Sequence, residues 1–284
     1  MADTSAPVRN GPVNLDVELL DLATSLARKA GAAVVSARAE AVATATTKSS
    51  PTDPVTEGDR LAESIVVAGI TENRPDDGIV GEEGTDRTGT SGVVWYIDPI
   101  DGTTNYLYDI PAYAVSIGAA VDGVMRIGVV YNPAIDELYA ARLGGGATRN
   151  GEAISVASPP DLASSLLATG FGYQAERRRH QAAVVAQLLP QVRDIRRMGS
   201  AALDLCNAAS GRVDAYFEVG LNSWDFAAGW LIAAEAGALV DNLRGAAPTE
   251  AFVIAASPAI HAELSDLLRA LNADRLGDNS TANG

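Results

Sequence analysis

Asp98 and Asp101, separated by Pro99 and Ile100 and followed by Gly102, Thr103 and Thr104, have the residue types to hold a divalent cation beside a phosphate. Two converging carboxylates repel each other, and a hard cation relieves the repulsion. Pro99 stiffens the backbone and lacks a donor, while Gly102 reaches conformations closed to other residues. The expectation is a turn that points both carboxylates at one centre. Gly102, Thr103 and Thr104 then offer unhindered N–H groups and hydroxyls to a phosphate, and a metal beside such a cradle is the layout of metal-assisted phosphoryl chemistry. Asp, Pro and Gly also dominate ordinary surface turns. The choice between the two rests on the rest of the chain.

Other acids each have a local explanation and a functional one. Glu82 and Glu83 close the apolar run Ile79-Val80-Gly81 just before Gly84, and ligands of α/β sheets bind beyond the carboxyl ends of strands. Thr56 and Asp59 have the spacing of a helix-capping pair. Lys48, in a loop, is by itself a solvated lysine. Asp225 lies in the first turn of an expected helix over 222–237, where it favours the helix dipole, and Glu218 ends an expected strand. Gly199-Ser200-Ala201 opens an expected helix over 199–210, whose outward N–H groups suit an anion. Gly144-Gly145-Gly146 lacks the Lys-Ser or Lys-Thr of a phosphate loop and reads as a turn.

The elements that must position these residues read as mixed α/β. Val93–Ile97 is a short apolar, β-branched and aromatic strand. Leu15, Leu19, Leu22, Leu26, Ala30, Ala33 and Ala37 recur at helical spacing until the pattern dissolves near Thr44. A loop over 48–54 leads to a second helix with Leu61, Ile65 and Ala68 on one face. Strands over 114–121, 125–131 and 137–141, with a hairpin turn at Asp122-Gly123, form an antiparallel run, followed by 147–150. After Pro159-Pro160 the pattern alternates: strand 166–170, helix 176–189, strand 192–196, helix 199–210, strand 212–218, helix 222–237, strand 251–256, and a last helix bearing Ile260, Leu264, Leu267, Leu268 and Leu271. One catalytic unit is expected over 15–273, with halves at about 15–158 and 159–273, and disordered tails at 1–14 and 274–284.

With 284 residues and a net charge of −15, nucleic acid is a poor main partner. A phosphorylated substrate is not excluded, because bound cations invert the local sign. The single cysteine, Cys206, rules out an internal disulfide and a cysteine zinc site, and its apolar helical surroundings place it in the core. The first twelve residues have no apolar core and do not read as a secretory signal. No run approaches a membrane span. A cytoplasmic protein is expected. His180 and His261 lie in charged helical patterns and read as surface residues; with no Gly-x-Ser-x-Gly elbow, a serine hydrolase is disfavoured. Asp98 and Asp101 are spaced too widely for an Asp-x-Asp nucleophile, and no cysteine-plus-arginine loop surrounds Cys206.

Taken together, Trp95-Tyr96-Ile97-Asp98-Pro99-Ile100-Asp101-Gly102-Thr103-Thr104-Asn105 and Trp224-Asp225-Phe226-Ala227-Ala228-Gly229 resemble the two motifs of the inositol monophosphatase family of magnesium-dependent, lithium-sensitive phosphatases. Lys48-Ser49-Ser50, Val55-Thr56-Glu57-Gly58-Asp59, Gly81-Glu82-Glu83 and Gly199-Ser200-Ala201 add to the likeness, which runs from the first helix to the last. The resemblance implies a five-layer αβαβα sandwich, of the inositol monophosphatase and fructose-1,6-bisphosphatase type, and a homodimer. It implies two to three Mg²⁺ ions per subunit: one on Glu82, Asp98 and the carbonyl of Ile100, one on Asp98, Asp101 and Asp225, and a weaker one near Glu82 and Asp59. Li⁺ would be an inhibitor. All-oxygen ligation suits Mg²⁺ and speaks against zinc.

The resemblance also implies in-line attack by a metal-activated water on a small phosphorylated polyol, myo-inositol 1-phosphate first. Thr103, bonded to Glu82 and Asp59, would orient that water, with Glu82, Thr103 and Asp59 as the catalytic group. Ile100, Asp101, Gly102, Thr103, Thr104, Gly199, Ser200, Ala201, Glu218 and Asp225 would line the substrate with Glu82, and Lys48 and Asn222 are further candidates. Histidinol-phosphate phosphatase, fructose-1,6-bisphosphatase and a 3′-nucleotidase share the metal set, and the chain departs from the inositol enzymes around Phe171–Arg178 and Leu221–Ser223, where a leaving group would lie. A transcription-associated binding protein is the alternative of another class.

Overall fold

A computed structural model describes residues 12–43, 45–48 and 54–275 of the chain. Of the tails expected to be disordered at 1–14 and 274–284, residues 1–11 and 276–284 lie outside the described residues, as do Thr44 and the loop residues 49–53, whereas 12–14 already belong to the first helix and 274–275 are described. In chain order the elements of the first half are α1 (Pro12–Ala43), β1 (Thr46–Thr47), β2 (Pro54–Val55), α2 (Glu57–Asn73), β3 (Gly78–Gly81), β4 (Val93–Asp101), α3 (Thr103–Leu107), β5 (Ala114–Val121), β6 (Val124–Asn132), β7 (Glu137–Arg142), β8 (Ala147–Arg149) and β9 (Glu152–Ala153). The second half adds β10 (Leu166–Thr169), α4 (Ala175–Leu188), β11 (Asp194–Arg196), α5 (Ala201–Ala209), β12 (Ala215–Glu218), α6 (Ser223–Glu235), β13 (Leu239–Asp241), β14 (Val253–Ala256) and α7 (His261–Ala270). Among the described residues no helix is long and apolar enough to cross a membrane.

Strands β3 to β9 form a seven-stranded sheet in sequence order, parallel only between β3 and β4. The second sheet has the order β11-β10-β12-β14-β13, with its parallel pairs at β10. Period-two alternation sends each sheet's side chains to two different cores. Trp95, Ile97, Val115, Ile117 and Ile127 meet Leu19, Ala23, Leu26, Ala30 and Val34 of α1 and Ala62, Val66 and Ile70 of α2. Val130, Tyr139, Tyr216, Val253 and Ala255 instead meet α5 and α6, which are therefore sandwiched between the sheets. Leu167, Phe217 and Ile254 point the other way, onto Val184 and Leu188 of α4 and Leu264 and Leu268 of α7. The layers run α1/α2, sheet, α5/α6, sheet, α4/α7, which is the expected αβαβα sandwich. The middle layer is built largely from small residues: Ala201, Ala202, Ala208, Ala209, Ala228 and Ala233 are all buried there. Cys206 is among them, fully buried and unpaired.

Local differences from the sequence reading have physical causes. The segment Asp98–Asp101 is the end of β4, not a turn beyond it. Asp98 pairs with Ser116 and Asp101 with Ala114, so three steps on one strand face two on the other and the strand bulges. A five-residue helix, α3, starts directly after the bulge, too short to show a periodic pattern. β13 is a short edge strand. His261 is not a plain surface residue: its side chain is 13% exposed and its Nε2 lies 3.0 Å from Asp241 Oδ2.

The strand that carries the bulge is anchored by a buried acid on its flank. Asp77 is 1% exposed and accepts from Trp95 Nε1 at 2.9 Å, Ser91 Oγ at 2.6 Å and Arg74 Nε at 2.9 Å. Asp77→Ala leaves the indole N–H buried without a partner. It is expected to cost about 3 kcal/mol in urea unfolding, against a smaller loss for Asp77→Asn, which keeps an acceptor. Equal losses in the two variants would show that the hydrogen bonds are not what anchors the strand.

Candidate metal and phosphate site

The bulge places Asp98 and Asp101 on the wall of one cavity of about 380 Å³, which Glu82, Ile100, Gly102, Thr103, Gly199, Ser200, Ala201, Glu218, Asn222, Asp225 and Lys48 also line. Three strand or helix ends converge there: β4 with its bulge, the exit of β3, and the first turn of α6. Gly102 sits at φ +95°, and a side chain on it would meet the carbonyls of Ala112 at 2.9 Å and Gly199 at 3.1 Å. Only glycine fits that position. Asn105, the last residue of the motif, donates to the carbonyls of Ala112 and Met198 at 2.7 Å each. It thereby ties the bulged strand to the loop before α5.

The carboxylates are crowded. Asp98 is 2% exposed; burial, then the charges of Glu82, Asp101 and Asp225, push its pKa well above the ordinary range. Asp225 is raised likewise, by burial and by Asp101, although its Oδ2 accepts from the Asn222 N–H at 2.7 Å. Burial raises Glu82, opposed by Lys48. Asp101 is raised to about 6 by burial, against the donors that hold it. Lys48 Nζ lies 2.9 Å from Glu82 Oε1 and also bonds Glu83. Burial works to lower its pKa, but Glu82 and Glu83 raise it above the ordinary lysine value.

Two oxygens of this group, Glu82 Oε2 and Asp98 Oδ1, are buried with no hydrogen-bond partner among the described residues. Orphaned buried carboxylate oxygens are costly, and an all-oxygen set of this kind fits a hard divalent cation. Ligand oxygens of Asp59, Glu82 and Glu83 also lie within 4.8 Å of one another. The residues therefore fit Mg²⁺.

Asp59 caps α2 with one oxygen and faces Thr103 with the other. Its Oδ2 accepts from Thr56 N at 2.7 Å and Thr56 Oγ1 at 2.6 Å in a capping box, while its Oδ1 faces Thr103 Oγ1 at 3.2 Å. Burial raises it to about 7, against Thr56. Thr103 Oγ1 also lies 3.0 Å from the carbonyl of Ile100. The bond expected from Thr103 to Glu82 is not formed: Asp59 and Ile100 take its place. Thr104 is exposed and off the cavity wall, because α3 turns it outward.

The first turn of α5 is not free for an outside anion as expected. Its anion is Asp101, whose Oδ2 accepts from Ser200 Oγ and Ala202 N at 2.6 Å each. Ser200 also caps the helix through Leu203 N at 3.2 Å. Across the cavity Glu218, raised to about 7 by burial, accepts from Tyr216 Oη at 2.7 Å.

Glu63 and Arg197 carry no site reading in the sequence. Glu63, mid-helix on α2 and 1% exposed, accepts from Glu83 N at 2.8 Å and bonds Thr85 Oγ1, so it shapes the turn that presents Glu82. Its helical neighbours gave no signal. Phe171, Gly172, Tyr173, Gln174, Arg177, Arg197 and Trp224 line the rest of the cavity; the segments 171–178 and 221–223 had been expected near a leaving group.

The model of the inositol monophosphatase family matches residues 16–274. The inositol-1-monophosphatase SuhB of Mycobacterium tuberculosis is 44% identical over 281 residues, covering 92% of this chain and 97% of that protein. The Nus factor SuhB of Escherichia coli is 39% identical over 229 residues, covering 80% and 86%. The crystal structure of the extragenic suppressor protein SuhB from Bartonella henselae is similar with a TM-score of 0.84 at 34% identity, over 89% of this chain and 98% of that one.

Proposed function

Since the chain belongs to the inositol monophosphatase family, we propose that it hydrolyses a small phosphate monoester with Mg²⁺, myo-inositol 1-phosphate being the first candidate. The observation that carries this reading is the pair of orphaned oxygens, Glu82 Oε2 and Asp98 Oδ1, in a cavity shared with Asp101, Thr103 and Asp225. Glu82, Asp98 and the Ile100 carbonyl would hold one ion and Asp98, Asp101 and Asp225 a second, with Asp59 and Glu82 beside a weaker third. Bound Mg²⁺ supplies Lewis acidity, polarising the phosphoryl oxygens and acidifying water.

The chain's own groups do the rest. The Gly102 and Thr103 N–H groups grip the phosphate. Thr103 Oγ1 takes the proton of the attacking water as it gives its own to Asp59 Oδ1, 3.2 Å away. Asp59, at about 7, is poised to accept it near neutral pH. Glu218, Ala201 and Asn222 meet hydroxyls of the leaving group. The Nus-factor name of a relative supports a second reading, a transcription-associated binding role. A cytoplasmic homodimer fits both.

The test is phosphate release from inositol 1-phosphate, histidinol phosphate, fructose 1,6-bisphosphate and adenosine 3′,5′-bisphosphate, with Mg²⁺, with EDTA, and with Mg²⁺ plus Li⁺. Mg²⁺-dependent, lithium-inhibited release from inositol 1-phosphate is the expected result. Preference for another ester keeps the chemistry and changes the substrate. Release from none of them leaves the binding role in front.

A further inference from the structure

The cavity lining also includes two residues with buried donors that have no partner among the described residues, Arg177 Nε and Trp224 Nε1. Arg177 reaches this position by passing over Gly172, where an added Cβ would lie 2.5 Å from Arg177 Cδ. Its Nη1 donates to the carbonyl of Gly220 at 3.2 Å. The guanidinium therefore straps loop 170–174 to loop 220–222 and still has Nε to spend. Glu218, an acceptor, faces the same space, close enough for the charge of Arg177 to act on it.

Resting on the phosphatase reading, we propose that Arg177 is a specificity-determining residue that selects a neutral, hydroxyl-bearing leaving group. A hydroxyl both donates and accepts, so neighbouring hydroxyls of a polyol satisfy Glu218 and Arg177 Nε at once. An ammonium-bearing leaving group would meet the guanidinium charge and leave Nε unpaired. A second phosphate would satisfy Arg177 but press against the Glu218 carboxylate. Discrimination of this kind is strong when a buried polar group is left without its partner.

The experiment compares kcat/KM for inositol 1-phosphate with that for histidinol phosphate and fructose 1,6-bisphosphate, in the unaltered protein, in Arg177→Met and in Gly172→Ala. The second variant keeps the guanidinium but displaces its stem. The unaltered protein is expected to favour the polyol ester. Both variants should lower the inositol-to-histidinol ratio about tenfold, mainly through KM for the polyol. A role confined to strapping the loops would lower all rates together and leave the ratio fixed. An unmoved ratio with release intact overturns the inference alone, as does a preference of the unaltered protein for the cationic ester or the bisphosphate. Release from none of the three overturns it together with the phosphatase reading.

Discussion

Asp101→Asn should leave the protein folded and reduce Mg²⁺-dependent phosphate release by about 10³-fold or more. The size follows from several kcal/mol of metal-derived stabilisation at about 1.4 kcal/mol per decade of rate. The geometry makes the amide worse than a mere loss of charge. Ser200 Oγ and Ala202 N both donate to Asp101 Oδ2 at 2.6 Å, so the amide must turn its oxygen to them. Its NH₂ then occupies the place of Oδ1, presenting hydrogens where a cation needs a lone pair. Folding does not suffer, because burial already opposes the charged carboxylate and the two donors keep an acceptor. Activity measured beside thermal unfolding checks both halves. Release within tenfold of the unaltered protein would remove Asp101 from the metal set, and loss of folding would make the activity result a stability effect.

The readability of this site from sequence tracks how far a residue's role depends on its neighbours in the chain. Asp98, Asp101 and Gly102 lie within five positions, and a strand followed by this spacing leaves few ways to place two carboxylates. Even so, the device that converges them is a bulge, and a bulge is defined by the partner strand: Ser116 and Ala114 have no local signature for it. Taken locally, Asp59 and Asp225 were legible only as helix-start acids, because capping explains them as well as a site role does; Asp59 caps α2 with one oxygen and faces Thr103 Oγ1 with the other. Glu63 and Arg177 show the limit. A glutamate in mid-helix carries no signal of its own until tertiary packing buries it under the Glu82 turn, and the sequence marks the segment 171–178 without singling out Arg177, which lines the cavity. The helices and strands were legible for a different reason, because period alone reports them, whereas the layer order came only with the family resemblance. Alternation along β4, β5 and β12 feeds separate cores on the two faces of each sheet, and which helices fill each core is set by tertiary packing.

The crowded carboxylates also set how stability responds to pH and cation together. In EDTA the protein should be more stable at pH 5.5 than at pH 8, by about 3–5 kcal/mol. Asp59 and Glu218 are raised to about 7 and Asp101 to about 6, in each case by burial first. Unfolded carboxyls titrate near 4. Between these values the folded chain binds more protons than the unfolded one, so its stability is fully present below about pH 4 as far as these groups are concerned and is lost as pH rises through 6 and 7. Asp98 and Asp225, shifted in the same direction, extend the loss. Mg²⁺ competes with those protons, because its ligands must be ionised. Its stabilising effect must therefore grow with pH, and saturating Mg²⁺ should raise Tm more at pH 8 than at pH 5.5. Thermal unfolding at the two pH values, with EDTA and with Mg²⁺, reads all four corners. A Tm in EDTA that is higher at pH 8, or an Mg²⁺ shift that ignores pH, would mean that the carboxylates are held apart by something other than protons and metal.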